Sequence, residues 1–532
     1  GGARYDLDVY NTGVYHDVQR SDYTYDKRDR LTQKLYTDKR SLSLSYDPES
    51  NLEELTGPNQ LTTTYSYFRD NLLKEMRVEN PGFPDRVFSF QYDAAGRLER
   101  LDYPAESGLV LYLSNSAGTS GSGFDANGNL LHLRYELDGS PFKSFAYTYD
   151  KSGNRLTMEV TTPSEVTFYE YGYDWFDRLT SVSIGINGAT PSLVRAYQFD
   201  EGDNRVFYDD YNEGPNGATY YYAYRTLGPW ASDQLETVYI YSAAAGHRTV
   251  GDFTVAYEQF EYDDDGNMTK RTVAATGEEI NYEWSDYNRL LKVTSTVNGV
   301  LQENKYDIDG IRDRKTDKNG NTAIEYPMGY MTTASRPRNV SSNAPKISYI
   351  RQSNSSDFCS TARNCSVIKG PNGFLGYEED GQMRYFVLDA LQSVTNIVDS
   401  SKNVVQSYQY DEWGNHMSGS GTGSVKSPKT WVGGLSVNDD TEDCGLYLMG
   451  HRYYAGGVLG RFISRDPIGH AGGLNLYAYA ANNPVSNSDP SGLEPLTGNK
   501  PGTGNINRNG SRQRITRPER PGTNAHQRPW IP

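Results

Sequence analysis

The sequence predicts an all-β protein laid out as one wide, thin antiparallel sheet, and three observations predict it. A Tyr-Asp signature recurs at a spacing near 25 residues, 44 tyrosines accompany 52 glycines, and no helical periodicity runs between the copies. Internal repetition decides the architecture, so the repeat comes first.

The clearest copy reads Tyr147-Thr-Tyr149-Asp150-Lys-Ser-Gly153-Asn154-Arg155-Leu156. Others begin at Tyr23, Gln91, Tyr171, Tyr262, Tyr306 and Tyr408, with degenerate versions at Phe124-Asp125, Phe199-Asp200 and Trp284-Ser285. From Asp125 to Asp150, Asp174 and Asp200 the steps are 25, 24 and 26 residues.

Each copy reads as a β-hairpin. Aromatics at alternate positions put their rings on one face of a strand. The Asp opens a turn by accepting a backbone N–H, and the Gly three residues later takes the left-handed conformation that closes it. Asn or Arg followed by Leu starts the return strand. Successive hairpins pair edge to edge and stack their tyrosines in ladders. Such a sheet avoids raw edges by spiralling or closing on itself. Calcium binding fits these aspartates poorly. With Gly266 sixth in an EF-hand frame, position 12 is Thr272, and the frame ending at Gly310 puts Lys305 first.

Composition agrees with a thin sheet. Apolar residues make up 36% and aromatics 13%, and tyrosine buries its ring while its hydroxyl stays hydrated. The net charge of −16 disfavours nucleic acid or an anionic membrane as partner of the whole chain. No stretch approaches the roughly 20 apolar residues that cross a bilayer. Gly1-Gly2-Ala3-Arg4-Tyr5 has neither an initiator Met nor a signal-peptide core, so any export signal is expected outside this chain. Cys359 and Cys365 are near enough in sequence to bridge in an exported protein, which leaves Cys444 free.

The repeat array resembles the YD/RHS repeats of bacterial RHS proteins, of the C component of Tc insecticidal toxins, of wall-associated YD proteins and of teneurins. The resemblance covers residues 1 to about 493. It implies a β-strand spiral wound into a hollow shell, secreted or at the surface of a bacterium, with a second shell-completing protein or a delivery apparatus as further partners.

From about residue 436 the match tightens. Gly445-Leu446-Tyr447, His451-Arg452-Tyr453-Tyr454, Gly460-Arg461-Phe462, Asp466-Pro467-Ile468-Gly469, Asn482-Asn483-Pro484 and Asp489-Pro490-Ser491-Gly492-Leu493 resemble the RHS repeat-associated core. The resemblance implies a plug that cuts its own chain as an aspartyl-type autoprotease after the last Leu. The scissile bond would then be Leu493–Glu494, with Asp466 and Asp489 as paired carboxylates sharing a proton. Arg452 would polarise the scissile carbonyl or orient a carboxylate. The plainer alternative stands beside this one. Both aspartates precede proline, a common turn pair, and Arg465 could hold Asp466 as an ion pair.

The expected organisation is a repeat shell over 1–435 with a loop insertion at about 332–372, the core motif over 436–493, and a variable tail over 494–532. In the tail, seven basic residues face two acidic ones, giving it +5 and leaving −21 for the rest. Its Gly, Pro, Asn and Arg cannot bury enough apolar surface to fold alone. The resemblance makes this tail the shell's own cargo, a peptide or toxin fragment.

Other chemistry is scarce. The seven histidines show no zinc-ligand spacing, and there is no P-loop or nucleophile elbow. No cofactor or metal is expected. Gly118–Gly123 and Ser418–Gly423 read as flexible loops. The leading expectation is a shell that encapsulates and releases its C-terminal segment by at most a single-turnover self-cleavage. The alternative is an adhesion module of the wall-associated or teneurin type, without functional cleavage.

Overall fold

The structure is a computed structural model. It describes residues 22–497 apart from 37–38, 115–122, 212–216, 228–229, 242–252, 254, 308–309, 328–346, 353–363, 372, 380, 418–419 and 424. Cys359, the partner expected for Cys365, and the tail beyond Thr497 lie outside the described residues.

Among the described residues, 32 strands make one sheet in which each strand pairs antiparallel with the next in sequence. The ladder starts with Asp22–Tyr25 against Leu31–Leu35 and ends with Val404–Ser407 against Thr422–Gly423. It runs through the segment read as an insertion, because Ile347–Gln352 and Asn364–Lys369 both pair within it.

The turns explain the repeat. Asp150 N–H donates to the Asn154 carbonyl at 2.9 Å, and Gly153 N–H returns to the Asp150 carbonyl at 3.3 Å. Gly153 takes a φ of 94°, in the left-handed region. Asp150 Oδ1 accepts the Asn154 N–H at 2.8 Å and Oδ2 accepts Asn154 Nδ2 at 2.9 Å. Arg97 and Arg178 fill the Asn position by donating Nε to Asp93 and Asp174 at 2.7 Å. The residue after Asp plus three is therefore part of the turn as well as the start of the return strand.

At four of the turns the tyrosine before the Asp joins one hairpin to the previous one. Tyr149, Tyr173, Tyr306 and Tyr410 donate their hydroxyls to the carbonyls of Leu130, Arg155, Leu290 and Val394, at 2.6–2.8 Å. Trp284 does the same with its indole N–H to the Met268 carbonyl, at 2.8 Å. Each acceptor lies at or just before the start of the preceding return strand, so ring burial and one hydrogen bond fix the register together.

Later strands wind back over earlier ones. The Tyr103 hydroxyl donates to the Phe386 carbonyl at 3.1 Å, and Leu388 N–H donates to the Tyr135 hydroxyl at 3.0 Å. Strands Phe374–Glu379, Gln382–Leu388 and Val394–Asp399 are consequently buried on both faces. Met383, Tyr385, Val387 and Val398 pack on the first winding. Phe374, Phe386, Leu388 and Ile397 form a second cluster behind them. A strand covered on both faces needs a near-continuous apolar run, which Tyr385–Leu388 supplies.

The segment after the sheet forms the plug. Asn438–Asp440, Leu446–Met449, Arg452–Ala455 and Arg461–Phe462 build a four-stranded sheet. Its aromatics Tyr447, Tyr454 and Phe462, with Tyr479 further along the plug, share one core with shell residues Tyr197, Tyr208, Tyr220 and Leu290.

Candidate functional site

The plug reaches the shell through the repeat turns. Asn483 Nδ2 donates to Asn154 Oδ1 and to the Asp177 carbonyl, both at 2.9 Å. Asn482 Nδ2 donates to the Asp203 carbonyl at 2.8 Å, and Asn475 Nδ2 to Asn204 Oδ1 at 2.6 Å. The Tyr477 hydroxyl meets the Gly266 carbonyl at 2.7 Å, and Arg289 Nη1 the His451 carbonyl at 3.1 Å. Five repeat turns thus hold the plug, and Asn154, Asn204 and Arg289 serve both turn and dock.

Inside the plug, Arg452 brings the two aspartates together. Its Nη2 lies 3.0 Å from Asp466 Oδ2 and 3.1 Å from Asp489 Oδ2. All three side chains are buried, and the guanidinium stacks 3.6 Å above the Phe462 ring centre. Arg452 Nε donates to the Gly492 carbonyl at 2.6 Å, and Nη1 to the Leu476 carbonyl at 3.0 Å. The carboxylates are bridged by the cation, and no hydrogen bond joins them directly. One guanidinium thus stands between the two acids. Arg452 thus contacts both carboxylates and the carbonyls of Gly492 and Leu476. Arg465 lies against Gly266, apart from this cluster.

Asp489 shapes the loop before the expected cut. Its Oδ1 accepts Leu493 N–H at 3.0 Å and the Ser491 hydroxyl at 3.1 Å. Gly492 sits at a φ of 65°, with Arg452 N 3.0 Å from where a Cβ would project, so only glycine fits. Asp466 Oδ1 accepts Ile468 N–H at 3.0 Å, and its own N–H donates to the Leu476 carbonyl at 3.0 Å. Burial pushes the Asp466 carboxyl above its ordinary pKa. Arg452 and the Ile468 amide oppose the rise, while Asp489 and Glu494 add to it.

Leu493 is half-buried and Glu494 exposed, so the bond between them lies where the chain leaves the plug. A Cβ placed on Gly472 would collide with Asp466 Oδ2 and stand 2.7 Å from the Leu493 carbonyl oxygen. That glycine leaves the Asp466 carboxylate and the Leu493 carbonyl facing a common gap. Beyond it, Leu496–Thr497 pairs antiparallel with Asn487–Ser488 and folds the chain back on the plug. Sequence reasoning missed Gly472 and Leu476, because neither carries a reactive group. Among the described residues no cluster of His, Cys, Asp and Glu could hold a metal ion.

An antiparallel hairpin ladder with this plug is an all-β fold similar to YD/RHS-repeat shells. Residues 9–187 match the Teneurin YD-shell family. The chain is 25% identical over 417 residues to the tRNA3(Ser)-specific nuclease WapA of Bacillus spizizenii, covering 73% of this chain and 16% of that protein. It is 26% identical over 480 residues to Double-stranded DNA deaminase toxin A of Burkholderia cenocepacia, covering 82% of this chain and 32% of that one. The chain therefore spans less than a third of the length of either relative. The TcdB2-TccC3-Cdc42 crystal structure is similar over 89% of this chain and 30% of that one, with 14% identity and a TM-score of 0.43.

Proposed function

We propose that this protein is a shell that encloses its own C-terminal segment and severs it by cutting between Leu493 and Glu494. The observation that carries this reading is the Arg452 guanidinium bridging Asp466 and Asp489 beside the Leu493 carbonyl. Asp466 acts on a water in the gap opposite Gly472. The water oxygen bonds to the Leu493 carbonyl carbon as its proton passes to the carboxylate. The C–N bond then breaks, and that proton leaves on the Glu494 nitrogen. The raised affinity of Asp466 for a proton suits it to both steps. Arg452 holds both acids in place and stabilises their charge, and Asp489 fixes the Leu493 amide. The +5 charge of the tail complements the −21 of the rest of the chain, as suits cargo and container. The nuclease and deaminase toxin names of the relatives support a toxin fragment as cargo.

Denaturing mass spectrometry of the purified chain tests the reading. The expected result is a cut after Leu493 that Asp466→Asn abolishes, Asp489→Asn slows, and Arg452→Ala slows with the shell still folded. An intact Leu493–Glu494 bond in folded wild-type protein, after long incubation at acidic and neutral pH, would overturn it. The match to the teneurin shell supports the second reading, an interaction module without cleavage, and that outcome would select it.

A further inference from the structure

The segment after the Tyr410 turn gathers three side chains that the carboxylate pair does not use. His416 forms an antiparallel bridge with Tyr410, and its ring meets those of Tyr408 and Tyr410 edge-on at 5.8 and 5.1 Å. His416 Nδ1 lies 3.1 Å from Ser420 Oγ, and Nε2 lies 3.2 Å from Asp439 Oδ2. Asp439 is held from behind by the Thr430 and Thr441 hydroxyls and by Thr441 N–H at 2.9 Å. These spacings are those of a nucleophile, a base and the carboxylate that orients the base.

We infer that Ser420, His416 and Asp439 form a relay that makes the Ser420 hydroxyl a nucleophile toward small carboxylic esters, independent of the cut after Leu493. Ionised Asp439 accepts the proton on Nε2, which fixes the tautomer and leaves the Nδ1 lone pair facing Ser420. Burial raises the Asp439 carboxyl, but the hydrogen bond and charge of His416, with the two threonines, bring it below its ordinary pKa. Ser420 Oγ accepts Gln409 N–H at 3.0 Å, so its own proton is directed to His416. In the reaction, Oγ bonds to the acyl carbon as the Ser420 proton moves to Nδ1. The ester C–O bond breaks and the alcohol leaves with that proton. Water then adds to the acyl-serine, gives a proton to Nδ1, and the serine recovers it as the acid departs. The His416 side chain is 31% exposed and Ser420 is half-buried, so both are open to solvent in part.

The test treats the full chain with a fluorophosphonate probe and with 4-nitrophenyl acetate, then maps adducts by peptide mass spectrometry. One adduct at Ser420 is expected in folded protein, absent after heat denaturation and in Ser420→Ala. His416→Ala should label about 100-fold more slowly, the scale of a lost general base, and added imidazole should restore part of the rate. Asp439→Asn should slow labelling with its melting temperature recorded alongside. Ser420→Ala should leave the cut after Leu493 unchanged. Absence of an adduct, adducts scattered over other serines, or labelling indifferent to His416→Ala would each overturn the assignment.

Discussion

Gly472 and Leu493 approach so closely that a single added carbon on Gly472 would stand 2.7 Å from the Leu493 carbonyl oxygen. The same carbon would collide with Asp466 Oδ2, so the gap between acid and carbonyl exists only because residue 472 is glycine. Its φ is −85°, which any residue adopts, so backbone strain is not the constraint. Gly472→Ala should therefore displace the Asp466 carboxylate or the Leu493 carbonyl, lower the melting temperature while the shell still folds, and lose the cut after Leu493. Intact mass against time checks it, and unimpaired cutting would remove the gap from the mechanism.

The turn asparagines differ in what they hold. Asn154 is buried and bonds Asp150 Oδ2, Asp177 Oδ1 and the plug's Asn483. Asn403 is exposed and reaches Asp399 Oδ2 at a long 3.4 Å. Asn154→Ala should cost about 1–3 kcal/mol, because it leaves buried partners unsatisfied. Asn403→Ala should stay within roughly 0.5 kcal/mol. Denaturant unfolding separates the two, and equal losses would contradict the docking role given to the turns.

Asp313 offers a pH readout of the wall. Burial, aided by the nearby Asp307 charge, pushes its carboxyl from 3.8 up to about 7, against the pull of Arg314. Its Oδ1 finds no hydrogen-bond partner. The fold prefers the neutral acid, so this stabilisation is full below pH 3.8 and is lost as the pH rises through about 7. The melting temperature of Asp313→Asn minus that of wild type should climb across that window and level off above it. A flat difference would show that Asp313 ionises normally.

How much of this was legible in the sequence follows from the range of each interaction. Asp150 and Gly153 were readable because turn chemistry is local. Tyr149 was read as a ring in a ladder, yet its hydroxyl bond to Leu130 needs the neighbouring hairpin in place. Asn154 looked like the start of a strand, and its contact with Asn483 appears only when distant segments meet. Asp466, Asp489 and Arg452 stood out by motif, and they do share one cluster. Ser420, His416 and Asp439 left no local signature, since a relay is defined by geometry and not by sequence order. The segment Ser418–Gly423 read as flexible, but Thr422–Gly423 pairs with Val404–Ser407.

The strand beyond the cut bears on what happens afterwards. Leu496 faces Ser488 across the short ladder, and its side chain packs against the core that contains Val485 and Tyr479. Cutting between Leu493 and Glu494 leaves these contacts intact, so the C-terminal piece should stay bound. Native mass spectrometry should then report the uncut mass plus one water while denaturing conditions separate two pieces. Leu496→Asp would place a charge against that apolar core, which is costly without a partner. It should speed dissociation at least about tenfold, corresponding to roughly 1.4 kcal/mol, and leave the rate of cutting unchanged because Leu496 touches neither Asp466 nor Arg452. Slower cutting would mean instead that the ladder positions the bond for attack. Immediate loss of the wild-type piece would show that Leu496–Thr497 is no tether.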